Sequence, residues 1–156
     1  MATGDLKWFA AGLLDLGNKI HNLSSDVLKL GIVNSTTAPA LSTAGPHWGG
    51  TGTTNFATTQ VATTGTQYTG PKTLASVTWT NVANVPTLRA TDISMTIDAS
   101  GFANGAYGII YNDTDVNKRA LGFVELSAAG ALSLVAGAVT IDWGGAGTDL
   151  LKITQS

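Results

Sequence analysis

The first part of the chain carries its apolar side chains at a helical spacing. Successive apolar positions lie three or four residues apart, which places them on one face of an α-helix. They are Leu6, Phe9, Leu13, Leu16, Ile20 and Leu23. Asp5 would lie in the first turn, where a carboxylate favours the helix dipole. The pattern predicts a helix over about residues 4–18, whose apolar face either packs on the rest of the chain or docks on a neighbouring subunit.

The remainder of the chain alternates apolar and polar residues at the period of β-strands. This alternation predicts strands at 28–32, 75–80, 93–98, 132–134 and 139–143. Two more continuously apolar segments, 106–111 and 120–126, also predict strands, and the Asn- and Asp-rich residues 112–117 predict the turn between them. A glycine turn at 144–147 leads to a last predicted strand at 149–154.

Residues 34–70 have a different composition, rich in threonine and glycine, with two prolines. Such a stretch is usually a long functional loop, or a set of loops with short strands. Together with about eight predicted strands, it indicates a mostly-β fold, a jelly roll or β-sandwich with a short N-terminal helix. We expect one domain over 1–156, with an N-terminal arm at 1–25 and a β domain at 26–156.

The composition agrees with a β fold and disfavours charged partners. Only 12% of the residues are charged, against about 25% in an average soluble domain. The 23 threonines and 19 glycines favour strands and turns with a neutral hydroxyl surface. The net charge of −2 leaves no basic excess, so we expect no direct nucleic-acid binding. Weak charge repulsion between copies suits a protein held in an assembly.

Several classes of site are disfavoured by what the chain lacks. It has no cysteine, which excludes disulfides, thiolate metal sites and cysteine nucleophiles. No apolar run reaches the roughly 18 residues of a membrane span, and Asp5, Lys7 and Asp15 argue against a signal peptide. We therefore expect no membrane association, and synthesis in the cytoplasm, where the protein stays unless lysis releases it.

Two motifs resemble ligand sites without completing them. The glycine-rich residues 49–54 lack the Gly-Lys-Ser/Thr ending of a phosphate-binding loop, which favours a flexible loop. Asp113, Asp115 and Asn117 match the opening of a calcium loop, but lysine and valine occupy its glycine and glutamate positions. A hairpin turn explains the same Asn and Asp residues, and a bound cation stays an open alternative there.

The sequence contains no recognisable catalytic motif. His21 and His47 are the only histidines, and no further ligands stand near them at the spacing of a zinc site. No Gly-x-Ser-x-Gly elbow and no Ser-His-Asp order occurs. The carboxylates at 92, 98, 115, 125, 142 and 149 are scattered, which leaves a glycosidase pair across a sheet as an open alternative. We expect a protein without enzymatic activity and without a cofactor or metal.

Aromatic residues provide the candidates for partner binding. Trp79 and Trp143 lie in alternating strands and are expected in the core. Trp48 lies in a glycine-rich loop, where it either anchors an interface or folds back as a plug over the β-sandwich. With the N-terminal apolar stripe, this gives five candidate partner-binding residues: Trp8, Phe9, Leu13, His47 and Trp48.

Three segments, taken in order, resemble small virion proteins of tailed bacteriophages. They are His21-Asn22-Leu23-Ser24-Ser25-Asp26-Val27-Leu28-Lys29-Leu30, Gly108-Ile109-Ile110-Tyr111-Asn112-Asp113-Thr114 and Val139-Thr140-Ile141-Asp142-Trp143. The resemblance covers most of the chain, with 40–70 as its least characteristic part. The chain is similar in size to the cement protein on the heads of short-tailed phages such as the Bordetella phage. None of the three motifs is catalytic.

The resemblance implies a jelly-roll-like protein that binds the outside of the major capsid shell and stabilises the head. Its partners would be the major capsid protein and further copies of itself, as a homodimer or homotrimer. It would be located on the capsid surface of the virion, after synthesis in the host cytoplasm. A tail, neck or fibre component, or a carbohydrate- or receptor-binding module, is the alternative. We expect that removing residues 1–20 weakens particle binding while the β domain still folds.

Overall fold

The strand pattern of the sequence is realised as twelve short strands and one α-helix in the computed structural model, which describes residues 6–127, 131–143 and 149–152. The helix α1 is Ala10–Gly17, and a 3₁₀ turn spans Phe56–Thr59. The strands are β1 Lys7–Trp8, β2 Leu28–Val33, β3 Pro46–His47, β4 Thr54–Asn55, β5 Lys72–Thr73, β6 Thr78–Val82, β7 Val85–Arg89, β8 Ile93–Met95, β9 Tyr107–Asn112, β10 Ala120–Glu125, β11 Val139–Ile141 and β12 Asp149–Lys152. The predicted mostly-β fold with a short N-terminal helix is confirmed.

A five-stranded antiparallel sheet forms the middle of the fold, with the strand order β1-β10-β9-β2-β5. Strands β2 and β9 pair along their whole length, from Leu28 opposite Asn112 to Val33 opposite Tyr107. Other parts of the chain cover both faces of this sheet. Its three inner strands are therefore almost continuously buried and apolar, as expected of strands without a solvent face.

One face of the central sheet packs against two smaller sheets, one of β8 and β11 and one of β6, β7 and β12. The side chains buried between them form the main core, which includes Leu30, Ile32, Leu88, Met95, Phe102, Ile110, Leu134 and Ile141. The ring of Tyr68 packs edge-on against Phe102 in this core. Its buried hydroxyl accepts a 2.8 Å hydrogen bond from the Ile32 amide, which ties the segment before β5 to β2.

The other face of the central sheet carries an aromatic cluster, consisting of Phe9, Val33, Trp48, Phe56, Ile109, Tyr111, Ala120 and Phe123. The Phe9 ring contacts the rings of Phe56 and Phe123, with centroids 5.8 and 5.2 Å away. Helix α1 lies close to β10 because residue 12 is glycine. A Cβ atom there would lie only 2.4 Å from the Leu121 carbonyl oxygen, which is too close for two non-bonded atoms. The central sheet is thus the middle of three layers.

The helix predicted over 4–18 begins later than expected. Lys7–Trp8 pair with β10 as an edge strand, and Phe9 is extended, with φ −64° and ψ 140°. Leu6 packs against the main core and Phe9 belongs to the aromatic cluster. These two residues are apolar because they are buried in two different cores, not because they share one face of a helix. The helical spacing therefore predicted the start of the helix too early. Residues 4 and 5 lie outside the described residues.

Strand β7 was not predicted, although it forms a tight hairpin with β6. The turn consists of Ala83 and Asn84, which both have positive φ angles, of 51° and 68°. Two such residues make a type I′ turn, whose twist suits a hairpin. Alanine gives no turn signal at this position, and Pro86 argues against a strand within a sheet. The strand predicted at 75–80 begins only at Thr78.

The other predicted strands are found with shifted ends. Those at 28–32, 93–98, 106–111, 120–126 and 139–143 correspond to β2, β8, β9, β10 and β11. The one at 132–134 is reduced to a single bridge between Leu132 and Gly105. Strand β12 begins at Asp149 as predicted, while the glycine turn at 144–147 and residues 153–154 lie outside the described residues. No helix in the described part of the chain has the length and apolarity to cross a membrane.

Candidate functional site

Trp48, the candidate anchor in the loop region, is folded back onto the central sheet and is only 8% exposed. Its indole stacks on the Tyr111 ring, with centroids 5.4 Å apart and an interplanar angle of 4°. The Trp48 amide donates a 2.9 Å hydrogen bond to the Lys118 carbonyl of the β9–β10 hairpin. Of the two interpretations of Trp48, the plug is the arrangement found, and this indole is not presented to a partner.

His47, the neighbouring candidate, is buried in the same loop, where its Nδ1 lies 3.1 Å from the Gly45 carbonyl oxygen. Its backbone forms a bridge to Arg119, so the loop and the β9–β10 hairpin are joined. The glycine-rich residues 49–54 are exposed or half-buried, but two of their glycines lie close to other parts of the backbone. A Cβ at Gly50 would lie 2.1 Å from the Asn117 carbonyl oxygen. Glycine at this position therefore allows the loop to approach the hairpin backbone closely.

The N-terminal aromatic candidates, Trp8 and Phe9, are core residues, with 8% and 0% exposure. Trp8 belongs to the main core and Phe9 to the aromatic cluster. Loss of one buried aromatic side chain typically costs about 3–5 kcal/mol. The structure therefore argues against the expectation that residues 1–20 can be removed while the β domain still folds, because that deletion also takes strand β1 from the central sheet.

Leu13 is the one candidate of the five that lies on the surface, with 49% exposure, and the adjacent Leu14 is 64% exposed. Ala10 and Gly17, one turn before and after these leucines, are exposed as well. We call these four residues the outward face of α1. A surface helix usually turns polar residues to solvent, whereas this one turns out leucines. Next to it, the exposed Leu41 accepts a 2.9 Å hydrogen bond from the Ala10 amide through its carbonyl.

A partly buried polar network joins two of the segments that carry the phage resemblance. It consists of His21 and Asp26 from the first segment and Asn112 and Thr114 from the second. The Asn112 amide nitrogen donates a 2.6 Å hydrogen bond to Asp26 and lies 3.2 Å from Nδ1 of His21. The Thr114 hydroxyl accepts a 2.9 Å bond from the Val27 amide. The network fixes the connection between α1 and β2 against the β9–β10 hairpin.

The carboxylate of Asp113, considered above as a cation ligand, is already bound by two lysines. The Nζ atoms of Lys29 and Lys118 each lie 2.8 Å from one of its oxygens. Hydrogen bonds from Lys118 and then Lys29 lower the pKa of Asp113. Asp115 faces Arg119 at 3.7 Å. The two lysines on Asp113 favour the hairpin-turn interpretation. Within the described ranges, no group of three or more His, Cys, Asp or Glu is arranged to hold a metal ion.

Asp98, one of the scattered carboxylates, binds backbone amides of two loops, at residues 66–67 and at Ser100. We call this arrangement the Asp98 clamp. One carboxylate oxygen accepts hydrogen bonds from the amides of Thr66 and Gln67, at 2.6 and 2.9 Å. The other accepts a 3.0 Å bond from the Ser100 amide. These bonds, that from Gln67 foremost, lower the pKa of Asp98. A glycosidase acid needs a raised pKa, so this carboxylate is placed to hold structure rather than to donate a proton.

Comparisons with protein-family models, with curated proteins and with solved structures found no match. The candidate regions described above differ in what they offer to a partner. The loop around Trp48 is folded onto the sheet, the β9–β10 hairpin is rich in ion pairs, and α1 has an apolar outward face. Exposed leucines that are fixed on a rigid support suit contact with another protein. The outward face of α1 is therefore the candidate functional site, and it retains only Leu13 of the residues first singled out.

Proposed function

We propose that this chain is a structural protein of a bacteriophage particle, which binds the outside of the major capsid shell and cements the head. The three segments that resemble small virion proteins of tailed phages support this proposal. Two of them supply strands β2 and β9 and the polar network between them. The resemblance thus falls on residues that determine the arrangement of the central sheet, and this favours a related fold over a chance likeness of surface loops.

The outward face of α1 is the single observation that supports an adhesive role. Full burial of a leucine side chain contributes about 1.5–3 kcal/mol. Leu13 and Leu14 are 49% and 64% exposed, so burial of the exposed part against a capsid subunit offers about 1 kcal/mol from each. A contact of this size is weak for one copy. It becomes effective when many copies bind the same shell and bridge neighbouring subunits.

Helix α1 is held firmly on the central sheet, as a protein that keeps neighbouring capsid subunits together would require. Strand β1 pairs with β10 immediately before the helix, and Gly12 brings the helix onto the Leu121 backbone. Force applied to the outward face would therefore pass into the central sheet, which is covered on both faces. A capsid that expands and then holds pressurised DNA requires such a rigid bridge between its subunits.

The abundance of the chain in purified particles tests the proposal. We expect gel densitometry to give a copy number comparable with that of the major capsid protein, as a head cement covers the whole shell. A copy number of only a small fraction of this value would contradict head cementing and would point to a tail, neck or fibre component. A second measurement compares heat-induced DNA release from particles with and without the chain, and equal release temperatures would also overturn the proposal.

A further inference from the structure

A buried histidine joins the end of α1 to the β9–β10 hairpin, and its two ring nitrogens have different surroundings. The side chain of His21 has no exposed surface. Its Nδ1 atom lies 3.2 Å from the side-chain nitrogen of Asn112. Its Nε2 atom has no hydrogen-bond partner and lies 4.0 Å from a carboxylate oxygen of Asp15, a residue of α1.

The hydrogen bonds of Asn112 fix the protonation state of this histidine. The Asn112 side-chain oxygen accepts bonds from the amides of Thr114 and Asp115, at 2.9 and 3.1 Å. Its nitrogen donates one hydrogen to Asp26 at 2.6 Å. The remaining hydrogen points to Nδ1 of His21, which must therefore accept it and carry no proton. In this arrangement His21 is neutral, with its proton on Nε2.

We propose that His21 is a pH-sensitive latch that holds the segment after α1 on the β9–β10 hairpin when neutral and releases it when protonated. A proton on Nδ1 would face the N–H donor of Asn112, so the bond between the two side chains would be lost. Asn112 cannot turn its oxygen toward His21 without giving up its bonds from Thr114 and Asp115. The latch thus opens by movement of the His21 segment. This inference does not depend on the proposed function.

The charged groups around the ring set the direction of the response. Asp15 of α1, Asp26 of the following loop, and Asp115 and Arg119 of the hairpin face His21. Burial is the largest single influence and lowers the pKa of His21, the three carboxylates raise it and Arg119 lowers it, and the net result is a lowered pKa. The unfolded chain, with the ordinary histidine pKa of 6.5, then takes up the proton first as pH falls. The contribution of neutral His21 to the stability of the fold is therefore complete above pH 6.5. It is lost as the pH falls from 6.5 through the folded-state pKa.

Amide hydrogen exchange of the wild-type chain between about pH 7.5 and pH 5.5 tests the latch, since only histidines normally titrate in this range. We expect the protection factors of the amides of Asn18, Ile20 and Asp26 to fall on acidification. At pH 5.5, one unit below the ordinary histidine pKa of 6.5, the fall should reach at most about tenfold. The amide of Leu30, inside the central sheet, should keep its protection. Unchanged protection at all three amides would overturn the proposal.

Two variants separate the latch from a general effect of acid. His21→Asn keeps an acceptor near the Nδ1 position but cannot be protonated, and we expect its protection to be independent of pH in this range. His47→Asn leaves His21 in place and should respond as the wild type does. An equal response of His21→Asn and the wild type would overturn the proposal. In the wild type, an NMR titration of the His21 ring with a midpoint above 6.5 would overturn it without any variant.

Discussion

The indole of Trp48 lies flat on the ring of Tyr111 and directly over Gly31 of the neighbouring strand β2. The two ring planes differ by only 4°. A Cβ atom at Gly31 would come within 2.1 Å of the indole. The loop containing Trp48 can therefore close on the sheet only because β2 has a glycine at that point. The stack and the glycine act as a unit that fixes residues 46–55 on the aromatic cluster.

Replacement of Gly31 by alanine should destabilise the chain by about 1–3 kcal/mol, the usual cost of overpacking. Trp48→Ala should cost about 3–5 kcal/mol, because it empties a large buried site. In the Trp48→Ala background, Gly31→Ala should cost much less, because the clashing indole is gone. Chemical denaturation of the two single variants and the double variant measures this coupling.

The matched control for that cycle is Gly17→Ala. Gly17 ends α1, and a Cβ there would meet no atom within 4 Å. This substitution should raise stability by about 0.5–1 kcal/mol, because alanine is the better helix former. It should do so equally with and without Trp48. Additive effects of Gly31→Ala and Trp48→Ala would show that the indole and the glycine do not constrain each other.

The Asp98 clamp should make part of the stability depend on pH. Its folded-state pKa lies below the ordinary value of 3.8, so its contribution is present above about pH 4 and is lost as pH falls through the folded-state pKa. Asp98→Asn should therefore be less stable than the wild type at pH 7, with the difference vanishing in acid. Denaturation at a series of pH values measures this difference.

Ser100→Ala is the control for the clamp, since Ser100 contributes only its backbone amide to Asp98. This variant should follow the pH dependence of the wild type. A constant difference between Asp98→Asn and the wild type at every pH would show that the carboxylate charge has no part in holding the loop.

The ion pairs of Asp113 lead us to expect no response to calcium. Lys29 and Lys118 neutralise the carboxylate that a cation would need, so neither added Ca²⁺ nor a chelator should change the melting temperature. Lys29→Met should cost less than about 1 kcal/mol, because the pair is partly exposed to solvent. A melting temperature that rises with Ca²⁺ concentration would demonstrate binding to the folded state and contradict this expectation.

Strands β9 and β10 could be predicted because burial on both faces leaves a continuous apolar run, and β2 could be predicted because its apolar residues alternate with Lys29 and Gly31. The turn between β9 and β10 was indicated by its Asn and Asp residues. The outward face of α1 could not be predicted, because helical periodicity shows which residues share a face but not which face is covered. The helix packs through Gly12, the residue that permits the closest approach. Leu13 and Leu14 are consequently turned outward, against the usual pattern, while Leu16 packs against the main core.

The closure of the loop around Trp48 was equally beyond a local pattern. Tyr111 and Gly31, the residues that receive the indole, are distant from it in the sequence. Nothing near Trp48 distinguishes an exposed anchor from a buried plug. The polar network could not be predicted locally either, since His21 and Asn112 are brought together by the pairing of β2 with β9.

Leu14→Asp should weaken attachment to phage heads without unfolding the chain. Leu14 is 64% exposed, so the new carboxylate stays in water in the free protein and loses that water only when the helix binds its partner. Burial of an unpaired charge in an apolar contact is strongly unfavourable. The matched control is Ile97→Asp, which changes an aliphatic residue of 61% exposure beyond β8. Co-sedimentation with particles that lack the chain measures binding, and melting temperatures verify folding. Equal binding of both variants and the wild type would show that the outward face of α1 is not the attachment surface.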